Sequence, residues 1–415
     1  MSSFQIQSQF LLKQSASLLL YQSVLHNPAG QAFLQLLETI KRRNSQCLPA
    51  YGEWFKALAT ANQTWQEYLI SRTLTDSNPF SQQIQQTPIS ELPSALVKAA
   101  KQDLQALEHI YNCSNEQLSQ WVQIIADIPT PPVVWELETS TNNSFPDIES
   151  LATHYRHHGT GIFSQYQAFT WQQNQLVGIP HPDPIQLNEL VGYESQKESL
   201  IKNTEALIQG YPALHVLLYG SRGTGKSSLV KALLQKYNSE GLRLVEVTKA
   251  QLQNLPLIVE ELRNVPQKFI IFVDDLSFEE DDEAFKALKV VLEGSVTARA
   301  QNVVVYATSN RRHLVREFFA ERPRPSDADE IQAWDTVQEK LSFSDRFGLT
   351  LTFEPANQDT YLEIVRHLAS QKQIKMSQQE LEFSAKQWAT RHNGRSGRTA
   401  RQFVDFLQGQ SLSNE

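Results

Sequence analysis

Cysteine and methionine are scarce, two of each in 415 residues. Cys47 and Cys113 build no disulfide framework and have no CxxC or histidine partner at metal spacing. Disulfide-stapled and zinc-ribbon folds are thereby excluded, and both thiols are expected to be buried and reduced. Long hydrophobic runs are missing too: FIIFV and VVVYA are the longest, far short of the ~18 residues of a spanning helix. Positive charge is not in excess, since 37 Lys and Arg stand against 45 Asp and Glu for a formal charge of −8. No global field therefore draws the chain to nucleic acid or anionic lipid. The opening MSSFQIQSQFLLKQ has neither a basic flank nor a small-residue cleavage site, so no secretory signal and a cytoplasmic location are expected. What is present, 40% hydrophobic and 20% charged residues, is the make-up of a globular protein with room for two or three domains.

The first 128 residues read as a helical domain. SQFLLKQSASLLLYQSVL, GQAFLQLLETIKRR, ELPSALVKAAKQDLQALEHIY and NEQLSQWVQIIA carry apolar residues at helical spacing. TDSNPFSQQIQQTPIS is polar and proline-containing and reads as loop. The prolines of DIPTPPVVWE mark a boundary, and 129–184 reads as a mixed connector. His154, His157 and His158 lie within it. On a helix His154 and His158 could share a face as metal ligands do. They lack a third ligand and a glutamate placed as base, so a packed or solvated cluster is expected. From 185 the texture changes: LHVLLY, LRLVEV, FIIFV, NVVVYA and LTLTF alternate with amphipathic helical patterns. This is an α/β pattern, a parallel sheet of five strands covered on both faces. After 356 the pattern is helical to the end.

YGSRGTGKSS, residues 219–228, fits G-x-x-x-x-G-K-[ST] at Gly220, Gly225, Lys226 and Ser227. Backbone N–H groups of Ser221, Arg222, Gly223 and Thr224 can wrap phosphates only where side chains do not intrude. The helix opening near Gly225 adds its positive dipole end. Lys226 would neutralise β- and γ-phosphate oxygens, Ser227 would hold Mg²⁺, and Ser228 continues the cradle. A merely tight strand-to-helix turn is the bland alternative, but nothing structural asks for Lys then Ser there. The strand FIIFV ends in Asp274 and Asp275. The first acid suits Mg²⁺ through water, and its neighbour can orient an attacking water. An Asp-x-x-Gly switch would need glycine where Ser277 stands, and no Asn-Lys-x-Asp motif follows. The pattern is not that of a GTPase. An SGGQ-type transporter signature is missing as well.

NVVVYATSN closes on Asn310, LSFSDRFGLTLTF presents Arg346, and GRSGRTARQF places Arg398 at a helix start. With these, residues 185–408 resemble an AAA+ P-loop ATPase module. More narrowly, LLYGSRGTGKSSLVKALL, DDLSFEEDDEAFKALKVVLEGS, YATSNRRHL and SDRFGLTL resemble a bacterial family of cytosolic AAA+ ATP-binding proteins of unassigned function. That likeness extends back to HHGTGIFSQYQAFTW. The resemblance implies a sheet ordered 5-1-4-3-2 in a nucleotide-binding core over 185–355, with a helical lid over 356–415. It implies ATP and Mg²⁺ as cofactors, with Ser227 and Asp274 at the metal. It also implies Asn310 as sensor 1 beside Asp275, Arg346 as a finger reaching the nucleotide of a neighbouring subunit, and Arg398 as sensor 2. Val191 and Gly192, in LVGYESQKE, would lie beside adenine.

Each role has a rival. Asn310 could cap the helix that follows, and Arg346 could pair with Asp345 or Asp359. Arg395 and Arg401 compete with Arg398. Asp275 stands where the family usually has Glu, and 320–340 is a long acidic span that is either a partner-facing insertion or a solvated loop. The leading expectation is an ATPase that works as a homo-oligomer and couples hydrolysis to remodelling or loading of a macromolecular partner, an unknown protein client. The alternatives are a slowly hydrolysing ATP-gated switch and, from SNRRHLVRE and RHNGRSGRTARQ, a DNA-associated loader. No membrane partner is expected.

Overall fold

The computed structural model describes residues 3–137, 144–277, 283–293, 299–310, 343–392 and 394–412. They divide into two units, Met1–Gln165 and Tyr166–Glu415.

The first unit is helical. Its helices include Ser3–Ala16, Pro28–Lys41, Cys47–Ala61, Trp65–Thr75, Ser94–Tyr111, Asn115–Ala126 and Ile148–His158. Local sequence explains their starts. Asn27 caps the helix that opens with Pro28, and Thr64 and Glu67 form a reciprocal capping box. An aromatic cluster fills the core, with Phe33 stacked on Trp65 at 4.3 Å and Trp54 edge-on to Trp65 at 5.8 Å. The buried carboxylate of Asp103 accepts the backbone N–H groups of Leu19, Leu20 and Tyr21. That contact fastens the turn after the first helix across more than eighty residues. Cys47 and Cys113 are both buried thiols.

Helix Ile148–His158 lies in the stretch read as connector, yet it buries Leu151, Ala152 and Tyr155 in this same core. The rings of His154 and His158 sit 4.6 Å apart. Burial, followed by the charge of His158, pulls His154 down to about 4. Among the described residues no group of three or more His, Cys, Asp or Glu could hold a metal ion.

The second unit is built on a seven-stranded sheet. Its strands are β1 (Ala168–Gln172), β2 (Gln175–Ile179), β3 (Val216–Gly220), β4 (Leu242–Glu246), β5 (Lys268–Val273), β6 (Val303–Ser309) and β7 (Leu349–Phe353). The spatial order is β2-β1-β4-β5-β6-β3-β7. The five strands expected from sequence, β3 to β7, all pair in parallel. Numbered among themselves they lie in the order 5-1-4-3-2, as the AAA+ resemblance implies. Every residue of β6 is buried, which is why these strands are continuous apolar runs rather than alternations. Each fully buried Val or Phe there contributes roughly 1.5–3 kcal/mol.

The remaining two strands are a difference from the five-stranded expectation. β1 and β2 form an antiparallel hairpin, and β1 adds in parallel to the β4 edge. Their turn, Gln173–Asn174, has φ of +48° and +64°. Such turns usually announce themselves as Asn-Gly or Asp-Gly, so Gln-Asn hid the hairpin inside the connector. Beyond the sheet, helices Gln358–Gln371, Gln378–Arg391 and Gly397–Leu412 pack around Tyr361, Val365, Ala385, Phe403 and Val404. The span 320–340 lies outside the described residues. Among the described residues, no helix is long and apolar enough to cross a membrane.

Candidate functional site

Parallel strands all present their carboxyl ends at one edge of the sheet. The register sets Leu218 of β3 beside Thr308 of β6 and Leu351 of β7. The chain then leaves β3 at Gly220, where φ is +140°. A Cβ there would stand 1.9 Å from the Phe353 carbonyl oxygen, and the next residue, Ser221, donates its N–H to that oxygen at 3.1 Å. Only glycine permits this exit. The loop turns at Gly223 and Gly225 and enters helix Lys226–Tyr237.

Lys226 Nζ donates to the carbonyl oxygens of Gly220 at 2.8 Å and Ser221 at 2.7 Å. Burial lowers the affinity of its amine for the proton, while the carboxylates of Asp274 and Asp275 oppose that shift. A buried ammonium facing neutral carbonyls is poised to exchange them for an anionic oxygen, since a charge-assisted bond is the stronger.

Opposite the loop, Ser227 Oγ donates to Asp274 Oδ1 at 2.6 Å. Thr308 Oγ1 donates to the same oxygen and accepts the Asp275 N–H at 2.9 Å. Asp275 holds a left-handed backbone, φ +51°, which a non-glycine residue adopts at a cost. Asn310 Nδ2 donates to Asp275 Oδ1. The acids at the end of β5 and the polar residues at the end of β6 thus form one connected network.

These groups line a cavity of about 600 Å³, within the size range of small-molecule sites. Residues 222–228 form one wall, and Asp274, Asp275, Thr308 and Asn310 the floor. Gly220 and Ser221 shape the loop from behind and are not on the wall. The lining also holds the apolar Ile185, Leu190, Val191, Ile364 and Leu368 with Gly192, alongside the charged Asp183, Glu189 and Lys197. The amides and Lys226 of the loop suit an anionic group, and the apolar side chains suit a less polar part of the same ligand.

The C-terminal helices also contribute to the lining, through Ile364, Leu368, Gly397, Arg398 and Arg401. Arg398 N–H points to the Gly223 carbonyl at 3.4 Å, and a Cβ on Gly223 would come within 2.9 Å of Ser396 Oγ. The turn before helix Gly397–Leu412 and the loop that follows β3 therefore touch at backbone distance. Of the three competing arginines, Arg398 and Arg401 line the cavity. Arg401 is also 3.5 Å from Glu189, whereas Arg395 bonds Gln358 at 3.0 Å and is not on the wall. Arg346 is ion-paired with Glu293, at the end of helix Glu283–Glu293, and does not line the cavity of its own chain.

Thr308 was missed from the sequence, although a threonine closing a buried apolar strand must find a hydrogen-bond partner. Ile185, Ile364 and Leu368 gave no signal, being ordinary apolar residues remote from the motif. Of the basic stretches behind the nucleic-acid alternative, residues 311–317 lie outside the described residues.

Residues 164–411, more than half of the chain, match the family described as "Protein of unknown function (DUF815)". No curated protein matches the sequence. Among solved structures, a point mutant of RuvB from Thermotoga maritima is 17% identical, with 54% of this chain and 64% of that one covered and a TM-score of 0.38. This chain therefore spans less than two thirds of that structure's length. The Thermotoga maritima RuvB Holliday junction branch migration motor is 14% identical, with 54% and 72% covered and a TM-score of 0.33.

Proposed function

The chain belongs to the DUF815 family, and we propose that its cavity binds ATP with Mg²⁺ and hydrolyses it to ADP and phosphate. The observation that carries this is the Ser227–Asp274 contact of 2.6 Å at the foot of the loop-to-helix turn. A hydroxyl and a carboxylate suit a hard cation that keeps several waters and takes its other ligands from phosphates. Among the described residues no cluster of histidine, cysteine or several carboxylates competes with that choice. Mg²⁺ held there would neutralise charge on the β- and γ-phosphates.

The residues then divide the work. Amides of residues 222–227 and the helix dipole hold the phosphates, and Lys226 turns from its carbonyls to the γ-oxygens. Asp275, held by Asn310, orients a water. The oxygen of that water bonds to the γ-phosphorus as the bond to the β–γ bridging oxygen breaks. ADP departs with the electron pair, and the proton of the water passes to Asp275 and then to solvent. Arg398 adds positive charge from the lid. Arg346, lying off its own cavity, serves the γ-phosphate of an adjacent copy in a homo-oligomer, once that phosphate draws it from Glu293.

Coupling of this cycle to remodelling or loading of a protein client is part of the same proposal. One observation favours a slower, switch-like cycle: Asp275 is a methylene shorter than glutamate and is tied down by Asn310. Calorimetry tests the core of the reading. Mg·ATP is expected to bind the wild-type chain, and Lys226→Ala to abolish measurable binding. A well-folded wild type that gives no binding heat refutes it.

A further inference from the structure

Thr308 belongs to a strand that is buried throughout, and it is itself only 2% exposed. A hydroxyl has one proton to give and lone pairs to accept with, and here both capacities are spent on the two acids. It donates to Asp274 Oδ1 and accepts the Asp275 N–H at 2.9 Å. The strand continues the same strapping with its backbone and its next residue. The Thr308 carbonyl accepts the Leu276 N–H at 2.7 Å, and Ser309 Oγ donates to the Leu276 carbonyl at 2.8 Å. The turn 274–276 is thus fastened residue by residue to the end of β6.

That fastening has work to do. Asp275 sits at φ +51°, a conformation that persists in a non-glycine residue only where its surroundings over-determine it. Asp274 Oδ1 already receives Ser227 Oγ and the Asp275 N–H at 3.2 Å. With Thr308 added, three donors converge on that oxygen and fix the setting of the carboxylate that would hold the metal.

We propose that Thr308 is a positioning residue whose single hydroxyl sets the metal-binding acid and the water-orienting acid together. The inference rests on the ATPase reading above. Groups that orient metal ligands typically matter by about 10–100-fold in metal affinity or activity. The amides and ammonium that hold the phosphates do not depend on this hydroxyl.

The test compares the full chain with Thr308→Val, which keeps the shape and removes the hydroxyl, and Thr308→Ser, which restores it. Calorimetry gives ATP affinity with and without Mg²⁺, and phosphate release gives kcat as a function of Mg²⁺ concentration. Thr308→Val is expected to keep Mg²⁺-free ATP affinity within about twofold, which also reports that the phosphate loop is folded. Its Mg²⁺-dependent gain in affinity and its kcat are expected to fall about 10–100-fold, with Thr308→Ser recovering most of both. A valine variant equal to wild type overturns the role of Thr308, as does a serine variant as impaired as the valine. A wild type that binds no ATP overturns the ATPase reading itself, so the two failures are distinct.

Discussion

His215 offers a test of the sheet on which the site is built. It precedes β3 and is 5% exposed. Its Nδ1 accepts the Val305 N–H of β6 at 2.9 Å, while its own carbonyl accepts the Leu349 N–H of β7 at 3.1 Å. Accepting at Nδ1 requires the neutral ring. Burial first, and the charge of Arg299 next, push its pKa from 6.5 down to about 3. The sign follows from proton counting. Between those two values the unfolded chain binds a proton that the folded chain refuses, so stability falls as pH falls. The stability is fully present above 6.5 and is lost progressively toward 3. Each pH unit in that window is worth about 1.4 kcal/mol, and the whole interval about 5 kcal/mol as an upper figure. Urea unfolding followed at several pH values measures it, with His215→Asn as the control. Asparagine can accept the Val305 N–H but does not titrate, and other titrating groups cancel in the difference. From pH 6 to pH 4 the wild type should lose about 2–3 kcal/mol more than the variant. Parallel curves would refute a neutral, buried His215.

Gly220→Ala must bring a methyl to within 1.9 Å of the Phe353 carbonyl at a φ of +140°. A loss of about 3–5 kcal/mol is expected, read as a lowered melting temperature, and an unchanged melt would count against the geometry of the β3 exit. Arg346→Ala should leave ATP affinity unchanged and lower kcat by about 10³–10⁵-fold if the residue acts across subunits. Turnover equal to wild type in phosphate-release assays would remove it from the mechanism.

How much of this was visible beforehand depended on distance along the chain. The cavity wall 222–228 was legible because the glycines at which the chain turns and the lysine and serine that open the helix are contiguous in sequence. Asp274 and Asp275 were legible from their place after FIIFV, and Asn310 from its place after NVVVYATS. The hairpin Ala168–Ile179 was not, since its turn uses Gln173 and Asn174 instead of glycine. The partner of Arg346 was not either. Asp345 and Asp359 are near in sequence, yet Glu293, on another helix, is what the fold brings to it.

The amino-acid sequence alone determined the parallel sheet, the glycine-rich turn into helix Lys226–Tyr237 and the order of the polar residues that follow each strand. It could do so because burial on both faces and a turn that needs positive φ each leave a local, one-dimensional pattern. The tertiary structure alone decided that Thr308 joins Asp274 to Asp275, that Arg398 and Arg401 line the cavity while Arg395 does not, and that the turn before helix Gly397–Leu412 meets the loop at Gly223. Those are matters of which side chains converge in space, and a hydroxyl or guanidinium carries no mark in the sequence of the atom it will meet.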